Sequence, residues 1–243
     1  MSEHMALENL TVLDLTRVLA GPFCTMMLAD MGANVIKIEV PKGGDDTRGY
    51  PPFRAKNLNG ERESVYFANI NRNKKGITLN LKAPEGKEIF KELVKKADVV
   101  VENYRPGVMD KLGLGYDVLK EINPRIIYAA VSGFGCYGPY HLRPGYDILA
   151  QAMGGMMSIT GAKGGEPTRA GSALGDILGG LHVTIGILAA VNARTITGKG
   201  QRVDVSLMDS MIAATENTAL KYIETGNIPA PMGNRYAAVS PYD

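Results

Sequence analysis

Leu10-Thr-Val-Leu-Asp-Leu15, then Gly21-Pro22 and a Met-rich stretch to Met31, then Gly32 and Val35-Ile-Lys-Ile-Glu39: this opening segment decides the fold. The outer runs are apolar and of strand length, the middle is helical, and Gly32 marks the turn into the second strand. The alternation continues. Ile77-Thr-Leu-Asn-Leu81 reads as a third strand, and Pro84 opens a helix where its missing N–H costs least. In that helix Ile89, Phe90, Leu93 and Val94 form an apolar face, while Lys87, Lys91 and Lys95 line another. Asp98-Val-Val-Val-Glu102 is strand four, a helix near 116–122 ends before Pro124, and Arg125-Ile-Ile-Tyr-Ala-Ala-Val131 is strand five. Loops rich in Gly and Pro follow, then a long apolar helix from about Asp176. Arg202-Val-Asp-Val-Ser206 is a sixth strand, and 207–225 a further helix. Strands near-continuous in Val, Ile and Leu that alternate with helices belong to a doubly wound, mainly parallel, Rossmann-like α/β sheet flanked by helices. Ligands in such sheets sit outside the carboxyl ends of the strands. The loops that matter therefore follow Leu15, Glu39, Leu81, Glu102 and Val131. Residues 40–63, rich in Pro, Gly, Asn and charge, read as a long loop.

The chain has 243 residues, room for one large α/β domain or two small ones. Lys+Arg 27 against Asp+Glu 25 leaves a formal charge of +2. That balance argues against nucleic-acid binding and against a polybasic membrane surface. The 29 glycines are scattered, which fits tight turns and excludes a collagen-like chain. The apolar run Ile177–Val191 spans 15 residues, interrupted by His182 and Thr184. A bilayer needs roughly 18 or more. Met1-Ser-Glu-His-Met5 lacks the basic and apolar parts of a secretory leader, and two cysteines support neither a disulfide framework nor a Cys-based zinc site. The expectation is a cytoplasmic protein without a metal. Residues 1–225 read as a large domain, and 226–243 as the start of a linker to a second domain that the chain lacks.

Several motifs fail. Gly133-Phe-Gly-Cys-Tyr-Gly138 matches G-x-G-x-x-G after a strand, yet Pro139 and Pro144 interrupt the helix that should hold a pyrophosphate. The first strand, where that fingerprint belongs, is followed only by Gly21 and Pro22, although Glu39 sits where a ribose-binding acid would. An NAD-binding oxidoreductase is thus a distant alternative. No G-x-S-x-G, H-E-x-x-H or Walker sequence occurs. His4 is terminal and His141 lies in a loop. His182, six residues after Asp176, falls on a different helix face and reads as a core or capping residue. Cys24 and Cys136 read as small buried hydrophobes, and Met153, Met156 and Met157 as adaptable packing.

Gly171-Ser-Ala-Leu-Gly175-Asp176-Ile-Leu-Gly179-Gly180-Leu181 remains: one carboxylate among small residues at the start of an apolar helix. The helix dipole would favour its charged form, and an ionised carboxylate is a competent nucleophile toward a thioester. Gly179 and Gly180 leave room beneath that face for a ligand or a close backbone. Alternatively, Asp176 caps the helix and the glycines pack it against a neighbour. Pattern alone leaves both readings standing.

Blocks along the whole chain carry a resemblance. They are Leu13-Asp-Leu-Thr-Arg-Val-Leu-Ala-Gly-Pro22, Gly32-Ala-Asn-Val-Ile-Lys-Ile-Glu39 and Asn71-Arg-Asn-Lys-Lys-Gly-Ile-Thr-Leu79. Ala97-Asp-Val-Val-Val-Glu-Asn-Tyr-Arg-Pro-Gly-Val108, Ser132-Gly-Phe-Gly135, Gly145-Tyr-Asp147, the Asp176 segment and Thr197-Gly-Lys-Gly-Gln201 follow in order. In these, from about Leu7 to Asp209, the sequence resembles the family III CoA-transferases, the CaiB/BaiF group that includes formyl-CoA transferase. The resemblance implies transfer of CoA from an acyl-CoA to a free carboxylic acid. An aspartate, matched by Asp176, would pass through a mixed anhydride and an aspartyl-CoA thioester. It implies no permanently bound cofactor, with CoA and acyl-CoA as substrates beside a small, succinate-like or other organic acid.

By the same resemblance, CoA contacts fall on Leu19, Ala20, Val40, Leu79, Asn80, Leu81, Lys82, Asn103, Tyr104, Arg105, Lys111, Arg143, Pro144, Gly145 and Tyr146. Lys82, Arg105 and Lys111 are suited to phosphates. Val40 departs from formyl-CoA transferase, which has an arginine there, and Lys42 lies nearby. The superfamily also holds α-methylacyl-CoA racemases, which use a His and Asp pair as acid and base. Their histidine falls at Tyr146, and a phenol, with a reference pKa of about 10, is a poor near-neutral base. Transferase is therefore preferred to racemase. Family members carry a second domain with a glycine-rich loop and form interlocked homodimers, so a non-catalytic truncated fragment is the remaining alternative.

Overall fold

The order of the strands is what places the site. A computed structural model describes residues 4–54, 60, 62–236 and 241. The first half runs β1 (Thr11–Asp14), α1 (Ala20–Asp30), β2 (Asn34–Glu39), a 3-10 turn (Asp46–Gly49), β3 (Phe53–Arg54), β4 (Glu63–Ser64), α2 (Val65–Ile70), β5 (Lys75–Thr78), α3 (Pro84–Val94) and β6 (Val99–Glu102). It continues through α4 (Val108–Lys111), α5 (Tyr116–Ile122), β7 (Ile127–Ser132), α6 (Asp147–Met153), α7 (Met156–Ile159), α8 (Leu174–Thr197), β8 (Arg202–Ser206), α9 (Leu207–Ala214) and α10 (Asn217–Thr225). The main sheet has the order β5-β2-β1-β6-β7-β8, every neighbouring pair parallel. Counting only its own six strands, that order is 3-2-1-4-5-6, so the winding reverses between β1 and β6. The doubly wound parallel architecture is the expected one.

Successive residues of a strand point to opposite faces, and both faces of the central strands are covered. Val12, Val35, Val99, Val101, Ile127 and Ala129 pack with Cys24 and Leu28 of α1 and Val183 and Ile187 of α8. Leu13, Ile38, Val100, Tyr128 and Ala130 pack on the other side with Phe90 and Val94 of α3 and Leu119 of α5.

Several expectations shift. The third strand lies at Lys75–Thr78, two residues earlier than Ile77–Leu81, and all four residues are exposed. An edge strand has little buried face to write an apolar pattern. Ile89 is 52% exposed, and the seated face of α3 is Gly86, Phe90 and Val94. A Cβ at Gly86 would stand 2.1 Å from the Asn80 carbonyl oxygen. Residues 40–63 hold the 3-10 turn and the small β3–β4 hairpin, with 55–59 and 61 outside the described residues. The helix expected over 207–225 breaks into α9 and α10 at Glu216, whose φ is 51°. α10 ends at Thr225 with Gly226 left-handed, and 237–240, 242 and 243 of the expected linker lie outside the described residues.

The 15-residue estimate for the apolar run is also too short. α8 has 24 residues, long and apolar enough to cross a membrane by length and composition alone. Here its small residues seat it in the protein core. A Cβ at Gly179 would fall 2.4 Å from Leu207 Cδ2, and one at Gly180 2.8 Å from the Ala20 carbonyl oxygen. Near its end Arg194 pairs with Asp98 at 3.0 Å.

Candidate active site

The reversal point between β1 and β6 opens a crevice between the loops that follow them. Asn103, just after β6, ties the two loops together. Its Oδ1 accepts the Arg17 N–H (2.9 Å) and its Nδ2 donates to the Arg17 carbonyl (2.7 Å). The next residue, Val18, has φ 67°, a left-handed conformation that a β-branched side chain resists.

Charges beneath the loop hold it there. Lys37 Nζ donates to the Thr16 carbonyl (2.8 Å) and pairs with Asp45 Oδ2 (2.9 Å); Asp45 Oδ1 accepts the Val18 N–H (3.2 Å). Asp14 accepts Thr16 N–H (2.9 Å) and the Thr25 hydroxyl (2.7 Å) and pairs with Lys74 at 3.1 Å. Burial alone would raise both aspartates. Lys74 and Lys37 around Asp14, and Lys37 with Thr47 around Asp45, outweigh it and hold both below the usual carboxylate range. Glu39 accepts the Asp45 N–H (2.7 Å) and Arg48 Nε (2.9 Å), so the acid that sits where a ribose-binding one would is already engaged within the protein. Behind Tyr104, Glu102 accepts Tyr104 N–H (2.7 Å) and the Tyr128 hydroxyl (3.0 Å), and burial pushes it up to about 7.

Asp176 is the third residue of α8 and lines the crevice. It does not cap its helix. Asp147, the first residue of α6, does so by accepting the Gly175 N–H at 2.7 Å. Gln151 steadies this cap, donating to Asp147 Oδ2 (2.8 Å) and accepting the Ala170 N–H (2.8 Å). The Asp176 carboxylate has no hydrogen-bond partner among the described residues. Burial, then the Asp147 charge, raises it from 3.8 to about 7. Burial and the neighbouring Asp147 charge thus oppose the ionised form that the helix dipole favours. Gly179 and Gly180 make room for Leu207 and α1 rather than for a ligand.

Two clefts carry the other expected residues. The first, about 160 Å³, is lined by Leu19, Ala20, Asn103, Tyr104, Arg105, Arg143, Pro144, Gly145, Tyr146 and Asp176, together with Arg17, Ser132, Gly133 and Leu207. The second, about 420 Å³, is lined by Val40, Leu79, Asn80, Leu81 and Lys82, with Pro41, Val108 and Leu112. Tyr104 borders both. Lys111, the exposed end of α4, borders neither, and Lys42 is exposed.

The motifs set aside keep ordinary roles. No helix opens at Gly133–Gly138; Gly133 instead crosses Gly145, whose Cα would lie 2.4 Å from an added Cβ. His182 Nδ1 meets Ser210 Oγ at 2.9 Å. Cys24 is buried, whereas Cys136 is only half-buried; burial pushes both thiols up to about 12. Met153 is 43% exposed, while Met156 packs against the core. Sequence reasoning missed the structural part of Asp147, because the helix end it caps lies 28 residues away.

A family model described as CoA-transferase family III matches residues 7–243. An acetyl-CoA:oxalate CoA-transferase from Acetobacter aceti is 48% identical, the match covering 97% of this chain and 59% of the relative. A succinyl-CoA:glutarate CoA-transferase from Homo sapiens is 44% identical, covering 100% of this chain and 54% of the relative. A solved CaiB/BaiF family protein from Brucella suis is 44% identical with a TM-score of 0.92, covering 99% of this chain and 63% of that one. The chain thus spans a little over half the length of the curated relatives it matches.

Proposed function

We propose that this chain, which belongs to CoA-transferase family III, moves CoA from an acyl-CoA thioester to a free carboxylic acid with Asp176 as the nucleophile. The observation that carries this reading is a desolvated carboxylate without a partner, lining a cleft at the sheet's reversal point. In the ionised form an Asp176 oxygen attacks the thioester carbonyl, the C–S bond breaks, and CoA leaves as thiolate. The thiolate then attacks the Asp176 carbonyl of the mixed anhydride, which releases the donor acid as carboxylate and leaves an aspartyl-CoA thioester. The acceptor carboxylate attacks that thioester, expelling CoA thiolate once more. Attack of the thiolate on the acceptor carbonyl frees product and restores Asp176. A thioester is exchanged for a thioester, so no energy source is required.

CoA would lie along the two clefts that meet at Tyr104, with Arg105, Arg143 and Lys82 available to phosphates. Val40 supplies no charge in the second cleft, which leaves Lys82 as its cation. The acids handled by relatives, oxalate and glutarate, suggest a small dicarboxylate as acceptor. The family's homodimer remains part of the proposal, checked by sedimentation. Nothing favours the racemase reading: the position of its histidine is Tyr146, 72% exposed.

Calorimetric titration of the chain with CoA, with NAD as the counter-ligand, tests the reading. Saturable CoA binding without NAD binding supports it; NAD binding alone overturns it. Asn103→Ala, which unties the two loops, is expected to weaken CoA about tenfold and to cost about 1–2 kcal/mol of stability. Unchanged CoA affinity would separate that tie from the ligand site.

A further inference from the structure

Among the described residues, one buried side-chain polar atom has no hydrogen-bond partner: Ser132 Oγ. The neighbouring hydroxyls show how unusual that is. Ser206, paired with Ser132 in the β7–β8 register, accepts the Asp209 N–H (3.1 Å) and donates to the Gly133 carbonyl (3.4 Å). Ser210 donates to the Ser206 carbonyl (2.8 Å), and Thr25 and Thr47 donate to Asp14 (2.7 Å) and Asp45 (2.8 Å). Nearly all buried polar groups in folded proteins are satisfied, so an exception asks for a cause. Ser132 ends β7 and lines the same cleft as Asp176.

We propose that the Ser132 side chain turns about χ1 from its buried position into the cleft and donates a hydrogen bond to a carbonyl oxygen of acyl-CoA bound against Asp176. This deepens the function proposed above and rests on it. The chemistry fits a donor. Acyl-CoA offers carbonyl oxygens in its thioester and in its pantetheine amides, and Asp176 supplies no proton to them once ionised. A hydroxyl rotates to suit an incoming acceptor. A donor aimed at the thioester oxygen would also meet the negative charge that grows there as Asp176 adds. Its buried position offers the hydroxyl no partner among the described residues, so turning toward a ligand acceptor gives up no bond.

Free CoA and acetyl-CoA are the probes. Both titrations are run on the Asp176→Asn background, so that acyl transfer does not consume the ligand, and compare Ser132 with Ser132→Ala. Melting temperature is recorded alongside. The expected result is a three- to tenfold loss of acetyl-CoA affinity, roughly the worth of one neutral hydrogen bond. The melting temperature should stay the same or rise, because an unbonded buried hydroxyl is removed. Loss confined to acetyl-CoA identifies the thioester carbonyl as the acceptor; equal loss for CoA identifies a pantetheine amide. Affinities within about twofold for both ligands would overturn the proposal. A lowered melting temperature would overturn it too, as the mark of a structural bond. If the parent chain binds neither probe, the CoA-transferase reading fails first and this inference falls with it.

Discussion

Asp176→Asn is expected to abolish CoA transfer, by about 10,000-fold or more, while CoA affinity stays within about twofold. Asparagine keeps the shape and hydrogen-bonding size of the side chain but cannot form the anhydride. Substantial transfer by the variant would remove Asp176 from the nucleophile role. The raised pKa adds two further readouts. Only ionised Asp176 attacks, so kcat/KM should climb through an inflection near 7 and level off above it. Stability should move the other way. The folded state holds the Asp176 proton up to about 7, whereas the unfolded chain releases it near 3.8. Between those values the folded state binds more protons, so stability is lost as pH rises through that window. Asp176→Asn removes the partly buried charge and should melt above the parent at pH 8, with the gap closing by about pH 4. Equal melting at pH 8 would mean that the carboxylate is well solvated.

How legible this was follows from where each feature gets its free energy. β1, β2, β6 and β7 are readable because burial on both faces demands near-continuous apolar runs. β5 slid by two residues because it lies at the edge and buries nothing. α2, α4, α6 and α7 have four to seven residues each, about one or two turns, too few to display a period. The loops that form the clefts could be chosen from topology before any residue in them was assigned a role. The electrostatics could not. Lys37 lies in Val35-Ile-Lys-Ile-Glu39, where a charge suggests an outward position, yet in a sheet covered on both faces it is 2% exposed. Asp176 was balanced between cap and nucleophile until Asp147, distant in sequence, proved to hold the cap.

The same buried charges set the second large effect. Asp45→Ala is expected to destabilise the fold by about 3–5 kcal/mol, because Lys37 is left buried without its counter-ion. Against a typical total of about 5–15 kcal/mol, that is a large share. The loss also reaches the site. Asp45 and Lys37 grip the N–H of Val18 and the carbonyl of Thr16, and so hold Val18 in a conformation that it resists. Without the grip the loop relaxes, Leu19 and Ala20 move, and CoA affinity should fall. Val18→Gly separates the two consequences, since glycine adopts φ 67° without strain. Added to Asp45→Ala it should restore much of the CoA affinity but little of the stability, because the Lys37 charge is still unpaired. Acid offers an independent check. Asp45 and Asp14 are held below the usual 3.8, so their contributions are present above that value and lost as pH falls beneath it. The parent should therefore lose stability steeply below about pH 4, and Asp45→Ala less steeply. If the double variant regained stability along with affinity, strain at Val18 rather than the stranded lysine would be the larger cost. If it regained neither, the loop would owe its shape to the Asn103 tie and not to the charges beneath it.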